Sequence, residues 1–281
     1  MSIVYIFCDG GLGNRLGSLF GGLHFSMVNN KSPMIIWPEN NWCGCSFKDL
    51  FDSDIPNTDW GINLAVNNKS ECNFIVHDFS QIKYPVANIE ENNFKTSIKY
   101  KNTNNDIFYY HNIIPDYIDT DTQILLLKSL KINSNILNKV NNFLEPYKEQ
   151  IITGLHFRKT DFRTFLDEDY YDKIIKQNLD KIFFVCSDDK QTELKFKLNK
   201  NVITFEKNNY VNKLIDSDWN ASIVDSEGRS FIFNVNRSRE SVIEAFIDML
   251  ILSKTNIITE NSSTFLNFAK LYGKSIQCTQ L

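Results

Sequence analysis

Residues 3–15 read IVYIFCDGGLGNR, a short apolar run that ends abruptly in glycine. Ile3 to Cys8 combines β-branched and aromatic residues, the composition of a buried strand. Asp9, Gly10 and Gly11 stop it. From about Asn14 to Val28, the residues Leu16, Leu19, Phe20, Leu23 and Met27 recur at spacings of three and four. This predicts a helix with one apolar face. Met34 to Trp37 is a second apolar run, closed by Pro38. Strand, glycine loop, helix and strand in this order form the unit of a parallel sheet, so the opening predicts an α/β fold.

Further along, Glu39 to about Asn105 has short apolar runs, many Asn and few clear periods, which reads as loops, small helices and one or two strands. Ser134 is expected to cap a helix over Asn135 to Glu149, with Ile136, Leu137, Val140, Phe143 and Leu144 on its apolar face. A second α/β series then begins. Ile151 to Phe157, Lys181 to Cys186, Asn201 to Phe205 and Asn256 to Thr259 read as strands. Glu240 to Ser253 and Ser263 to Tyr272 read as helices. The restart predicts two Rossmann-like α/β domains facing a cleft, with a boundary near residue 150. Residues 1–149 form the first and 150–281 the second. Ligands of such sheets bind at the carboxyl ends of the strands.

The chain has 281 residues, enough for two modest cores, and a formal net charge of -4. That balance argues against wrapping a polyanion, so no nucleic-acid partner is expected. Mean hydropathy is -0.29, and no apolar run is long enough for a membrane span. The N-terminal run is strand-length and lacks a basic flank, so it does not read as a signal peptide. A cytoplasmic location with reduced thiols is the expectation for the six Cys. Cys43 and Cys45 are the one close pair. With no second pair beside them, no metal site is expected.

Five constellations carry chemistry. Gly11, Gly13 and Asn14 lie at a strand-to-helix turn, where backbone N–H groups can approach an anion, although a tight turn needs the same glycines. His156 and Arg158 share one side of a strand end, where an Arg fork suits a phosphate and Lys159 would reinforce it; Asp161 can fix the geometry of either. Asp188 and Asp189 follow another strand, as supports for a nucleotide or as helix caps. Asp248 interrupts an apolar helix, where burial would demand a polar partner such as the N–H edge of a base. Ser262, Ser263 and Thr264, with Phe265, precede the last helix as an anion site or a cap. Trp37, Asn40 and Trp42 suit an acceptor cleft or ordinary packing equally well.

The ordered set GGLGNR at 10–15, HFRKTD at 156–161, SDD at 187–189 and AFIDMLILS at 245–253, leading into NSSTF at 261–265, resembles the fucosyltransferase superfamily. That superfamily includes the α1,2-, α1,6- and protein O-fucosyltransferases. The resemblance covers both ends and the second half, leaving roughly residues 50–130 unmatched. It implies a GT-B-like fold and an inverting, metal-independent glycosyltransferase that needs no cofactor beyond its donor substrate, GDP-fucose. The acceptor would be a glycan or glycolipid, with peripheral membrane contact compatible. It further implies that Arg158 grips the β-phosphate, His156 helps hold the nucleotide, and Asp248 reads the guanine edge. Ser262, Ser263, Thr264 and Phe265 would wrap the diphosphate, with Gly11, Gly13 and Asn14 closing from the first domain. Arg158, Asn14 and Asp161 are the residues nearest the chemistry on this reading. Many relatives carry a second Arg where this chain has Lys159, and the general base is not identified.

Overall fold

The computed structural model describes residues 2–58, 72–76, 106–111, 114–115, 117–160, 166–219, 221, 223–224, 230–231, 234–259 and 263–277. Among these, β1 (Ile3–Phe7), α1 (Leu12–Val28) and β2 (Ser32–Ile36) realise the opening unit. They are followed by a single helical turn, α2 (Phe47–Leu50), and the strands β3 (Asn57–Thr58), β4 (Cys72–Val76) and β5 (Asp106–Tyr110). The five strands form one parallel sheet in the order β3-β2-β1-β5-β4. Two helices come next, α3 (Thr120–Ser129) and α4 (Ser134–Leu144).

The cap of α4 is Asn133, one residue before the expected Ser134. The Asp52 carboxylate takes the Ser134 N–H at 3.0 Å, and the Asn133 side chain takes that of Asn135. The helix also ends at Leu144 rather than continuing to Glu149. Pro146 has no N–H to give, and Glu145–Tyr147 tightens into a 3-10 turn.

The second series contains β6 (Ile152–Phe157), α5 (Glu168–Gln177), β7 (Ile182–Ser187), α6 (Lys190–Lys197) and β8 (Val202–Ile203). A small antiparallel pair, β9 (Ile223–Val224) with β10 (Ser230–Phe231), precedes α7 (Arg239–Ser253), β11 (Asn256–Ile257) and α8 (Thr264–Gln277). The second sheet is parallel in the order β11-β6-β7-β8. Both faces of its central strands are buried, which is why β7 reads as a nearly continuous apolar run. On β7, Phe183 and Val185 face one core and Phe184 and Cys186 the other.

The larger core runs without interruption through both halves. Phe51 meets Phe246 with ring centroids 5.5 Å apart, and Phe20 meets Phe268 at 5.2 Å. The second contact reflects the course of α8, which leaves the second sheet and packs on α1 and α3. Backbone bonds of 2.9 Å from Gly44 to Arg237 and from Arg237 to Asn41 stitch the halves together elsewhere. Among the described residues, no helix is long and apolar enough to cross a membrane.

Candidate functional site

The glycine loop is built from below by a buried cation. Arg15 on α1 is wholly inaccessible to solvent. Its Nε donates to the Gly10 carbonyl at 2.8 Å, its Nη2 donates to Asn40 Oδ1 at 3.0 Å, and its guanidinium lies 5.1 Å from the Trp37 ring centroid. Asn40 in turn donates to Asp9 at 3.2 Å. This bracing holds Gly10 at a φ of +80°, in the left-handed region where a side chain would be strained. The chain then enters α1 through Gly11, which has no side chain to cap the helix, and no acid occupies the first turn. Among the described residues no side chain caps the leading N–H groups of α1, which suits them to an anion.

The last helix closes against this loop. A Cβ built on Gly13 would stand 2.3 Å from Thr264 Oγ1, 2.8 Å from Thr264 Cβ and 3.0 Å from the Phe265 nitrogen. Only glycine permits that approach. Thr264 donates across it to Asn14 Oδ1 at 3.4 Å. A Cβ on Gly11, by contrast, would meet nothing within 4 Å, so open space lies before it. Two helix N-termini, both without an acid in the first turn, therefore converge across the boundary between the halves.

His156, in the last turn of β6, forms the floor. Its ring stacks on Phe265 with centroids 4.7 Å apart and planes 18° from parallel. Its backbone N–H donates to Thr259 Oγ1 at 3.1 Å. Burial, reinforced by Arg158 and Lys207 nearby, brings the imidazole pKa down to about 3, so His156 is neutral. Its Nδ1 is buried and has no hydrogen-bond partner among the described residues. Arg158 follows at the mouth of β6, half-buried.

The loop carrying Arg158 is fixed by Asp188. That carboxylate accepts the Lys159 N–H at 2.7 Å and the Thr160 hydroxyl at 2.5 Å. Asp189 is the cap of α6, taking the Thr192 N–H and hydroxyl at 2.7 Å each. Lys159, expected to add charge beside Arg158, instead pairs with Glu168 at the start of α5. The two acids after β7 thus work on the protein itself, one on the Arg158 loop and one on a helix.

Asp248 is buried, and its partner is Lys207 in the segment after β8. Lys207 Nζ lies 2.5 Å from Asp248 Oδ2 and 2.5 Å from Glu193 Oε1, and donates to the Ser187 carbonyl at 2.7 Å. Glu193 also accepts the Ser187 N–H at 2.7 Å and the Tyr210 hydroxyl at 2.6 Å. This ionic cluster closes the carboxyl end of β7 beside His156.

The structure thus brings Gly11, Gly13, Asn14, His156, Ser263, Thr264 and Phe265 into one cleft lip. Arg158 stands at the end of the same strand as His156, and Lys207 ties Asp248 to the edge of the same sheet. Asp161 and Ser262 lie outside the described residues. Trp37 is buried, its Nε1 donating to the Cys45 carbonyl at 3.0 Å, and Asn40 serves the loop, so these two brace the site rather than offering a sugar platform. Sequence reading passed over Arg15, Lys207, Glu193 and Tyr210. Arg15 is the last residue of the GGLGNR motif, which gives it a sequence signal. Lys207, between Glu206 and Asn208, has the local signature of a solvated lysine. Cys43 and Cys45 approach to 3.7 Å, and among the described residues no group of three or more His, Cys, Asp or Glu could hold a metal ion.

Two parallel α/β sheets, with a glycine loop from one and a helix N-terminus from the other meeting between their halves, define the GT-B class of fold. Solved fucosyltransferases share it across nearly the whole chain. NodZ from Bradyrhizobium is similar over 96% of this chain and 92% of its own, with a TM-score of 0.61 and 14% identity. A complex of POFUT1 with GDP is similar over 96% of this chain and 94% of its own, at 0.52 and 10%. An Arabidopsis thaliana FUT1 mutant with GDP covers 97% of this chain and 68% of its own, at 0.54 and 13%. No protein-family model matches the chain, and no curated protein matches it significantly. At these identities the likeness is one of fold.

Proposed function

We propose that the chain is an inverting, metal-independent glycosyltransferase that moves fucose from GDP-fucose to a hydroxyl of a glycan or glycoconjugate. The observation that carries this is the Gly13–Thr264 contact. It fixes two acid-free helix N-termini, His156 and the Arg158 loop around one opening, in a fold whose solved relatives include a NodZ crystal soaked with GDP-fucose.

On this reading the second half holds the donor and the first half presents the acceptor. Breaking the sugar–phosphate bond builds negative charge on the departing diphosphate. Arg158 and the N–H groups of α1 and α8 are preorganised to receive it, each donor lowering the barrier by on the order of 3 kcal/mol. Neutral His156, flat against Phe265, supports the nucleotide without carrying charge. The net charge of -4 is no obstacle, because the positive groups act locally.

The test is incubation with GDP-fucose and a panel of glycan acceptors, reading GDP release and acceptor mass. Turnover in EDTA that is lost in Arg158→Ala supports the proposal. A chain stabilised by UDP but not by GDP, with no GDP-fucose turnover, would overturn it.

A further inference from the structure

The Lys207 cluster has a consequence for how a base is recognised. Asp248 has two oxygens with different fates. Oδ2 is bound to Lys207, whereas Oδ1 is buried and has no hydrogen-bond partner among the described residues. Lys207 is itself held from three sides, by Asp248, by Glu193 and by the Ser187 carbonyl. Glu193 is held by Ser187 and Tyr210, so the cluster has little freedom to turn. A buried carboxylate oxygen without a donor is costly, and a ligand N–H would relieve that cost. The neighbouring His156 Nδ1 is a second buried nitrogen without a partner.

We propose that Lys207 and Glu193 are positioning residues that clamp one oxygen of Asp248 and leave the other to accept a single N–H of a purine base. This rests on the donor reading above and sharpens it. A carboxylate with both oxygens free takes the paired N–H donors of guanine side by side. A clamped one engages one donor and leaves the exocyclic amine of guanine unread. The site would then accept hypoxanthine nearly as well as guanine, and reject adenine, which presents an acceptor at the ring position where the others have N–H.

The clamp also sets the charge of Asp248. Burial pushes its pKa up to about 7; Lys207 opposes this, and Glu193 and then Glu244 on the same helix add to it. Cys186 on β7 and Tyr210 also feel its charge, and both keep their protons at neutral pH, mainly through burial. His156 stays neutral and Lys207 stays charged, the latter because its two carboxylates outweigh its burial. Below neutral pH, Asp248 takes a proton and the clamp loses its ion pair. Purine diphosphate affinity should therefore fall as pH drops below about 7, approaching tenfold per unit.

Calorimetry with GDP, IDP and ADP at pH 8 tests the clamp. The expected result is GDP and IDP within about fivefold, with ADP far weaker. IDP weaker than GDP by more than about 30-fold, the loss expected when a charged hydrogen bond is forfeited, would overturn the inference and leave the donor reading standing. ADP equal to GDP would likewise overturn it. No binding of any purine diphosphate would sink the donor reading and the inference together. A second arm follows GDP affinity from pH 6 to 9 in Lys207→Met and Lys207→Arg. Removing the cation should move the midpoint up by about a unit or more, and Arg should restore it. An unmoved midpoint in a folded Lys207→Met variant would refute the positioning role.

Discussion

Replacing Gly13 by alanine gives the sharpest trial of the way the two halves meet. The added methyl would sit 2.3 Å from Thr264 Oγ1, 2.8 Å from Thr264 Cβ and 3.0 Å from the Phe265 nitrogen. Ordinary carbon contacts lie near 3.5–4.0 Å, so the overlap is about an ångström. Turning the Thr264 hydroxyl away relieves only the first contact. Thr264 Cβ moves only with its own backbone, and the third contact is to the backbone nitrogen of Phe265, so the loop and the helix must separate. Overpacking of this kind costs about 1–3 kcal/mol. At about 2 kcal/mol the melting temperature falls by roughly 3–4 °C for a chain of this size. A shift of about an ångström in donor groups can reduce turnover by about a hundredfold. Differential scanning calorimetry and GDP-fucose turnover read the two effects. Gly11→Ala is the matched control for stability alone, because its Cβ meets nothing within 4 Å and its φ of -71° suits any residue. Gly13→Ala combined with Thr264→Gly removes both side-chain overlaps and should recover part of the loss. Wild-type stability and turnover in Gly13→Ala would refute the close approach of α8 to the glycine loop, and with it the composite site.

Three further outcomes follow from the same geometry. Arg158→Ala should lower turnover by at least about a hundredfold in a GDP-release assay. Arg15→Met should instead lower stability, by about 1–3 kcal/mol in urea unfolding, because it leaves the Gly10 carbonyl without its donor and takes one of the donors from Asn40. His156 should confer acid sensitivity. Its folded pKa of about 3 lies below the unfolded value, so the unfolded chain binds the extra proton between those limits. Stability should therefore fall as pH drops from about 6.5 towards 3, and His156→Gln should flatten that slope in denaturant titrations.

Most strands and helices of this protein were legible because their signals are local. The β1 and β7 runs are apolar over nearly the length of a strand, and α1 and α7 declare themselves by composition and spacing. The Gly10–Arg15 and His156–Arg158 motifs were equally visible, since a loop at a parallel strand's carboxyl end lies where such sheets bind ligands. The cap of α4 was misplaced by one residue because Asp52, some eighty positions away in the chain, takes the Ser134 N–H. The helix α3 carried no distinct period, its apolar run QILLLK being unbroken.

What the residue order alone determined was the class of fold and the residues from which a phosphate site can be made. Periodicity and glycine placement are properties of the chain itself. What only the tertiary structure decided was how charge and polar atoms are shared. Lys159 was expected beside a phosphate and instead holds Glu168; Lys207 looked solvated and is buried between two carboxylates. The strength of a charge depends on its distance to others and on the water it loses, and both are fixed only when remote segments pack together.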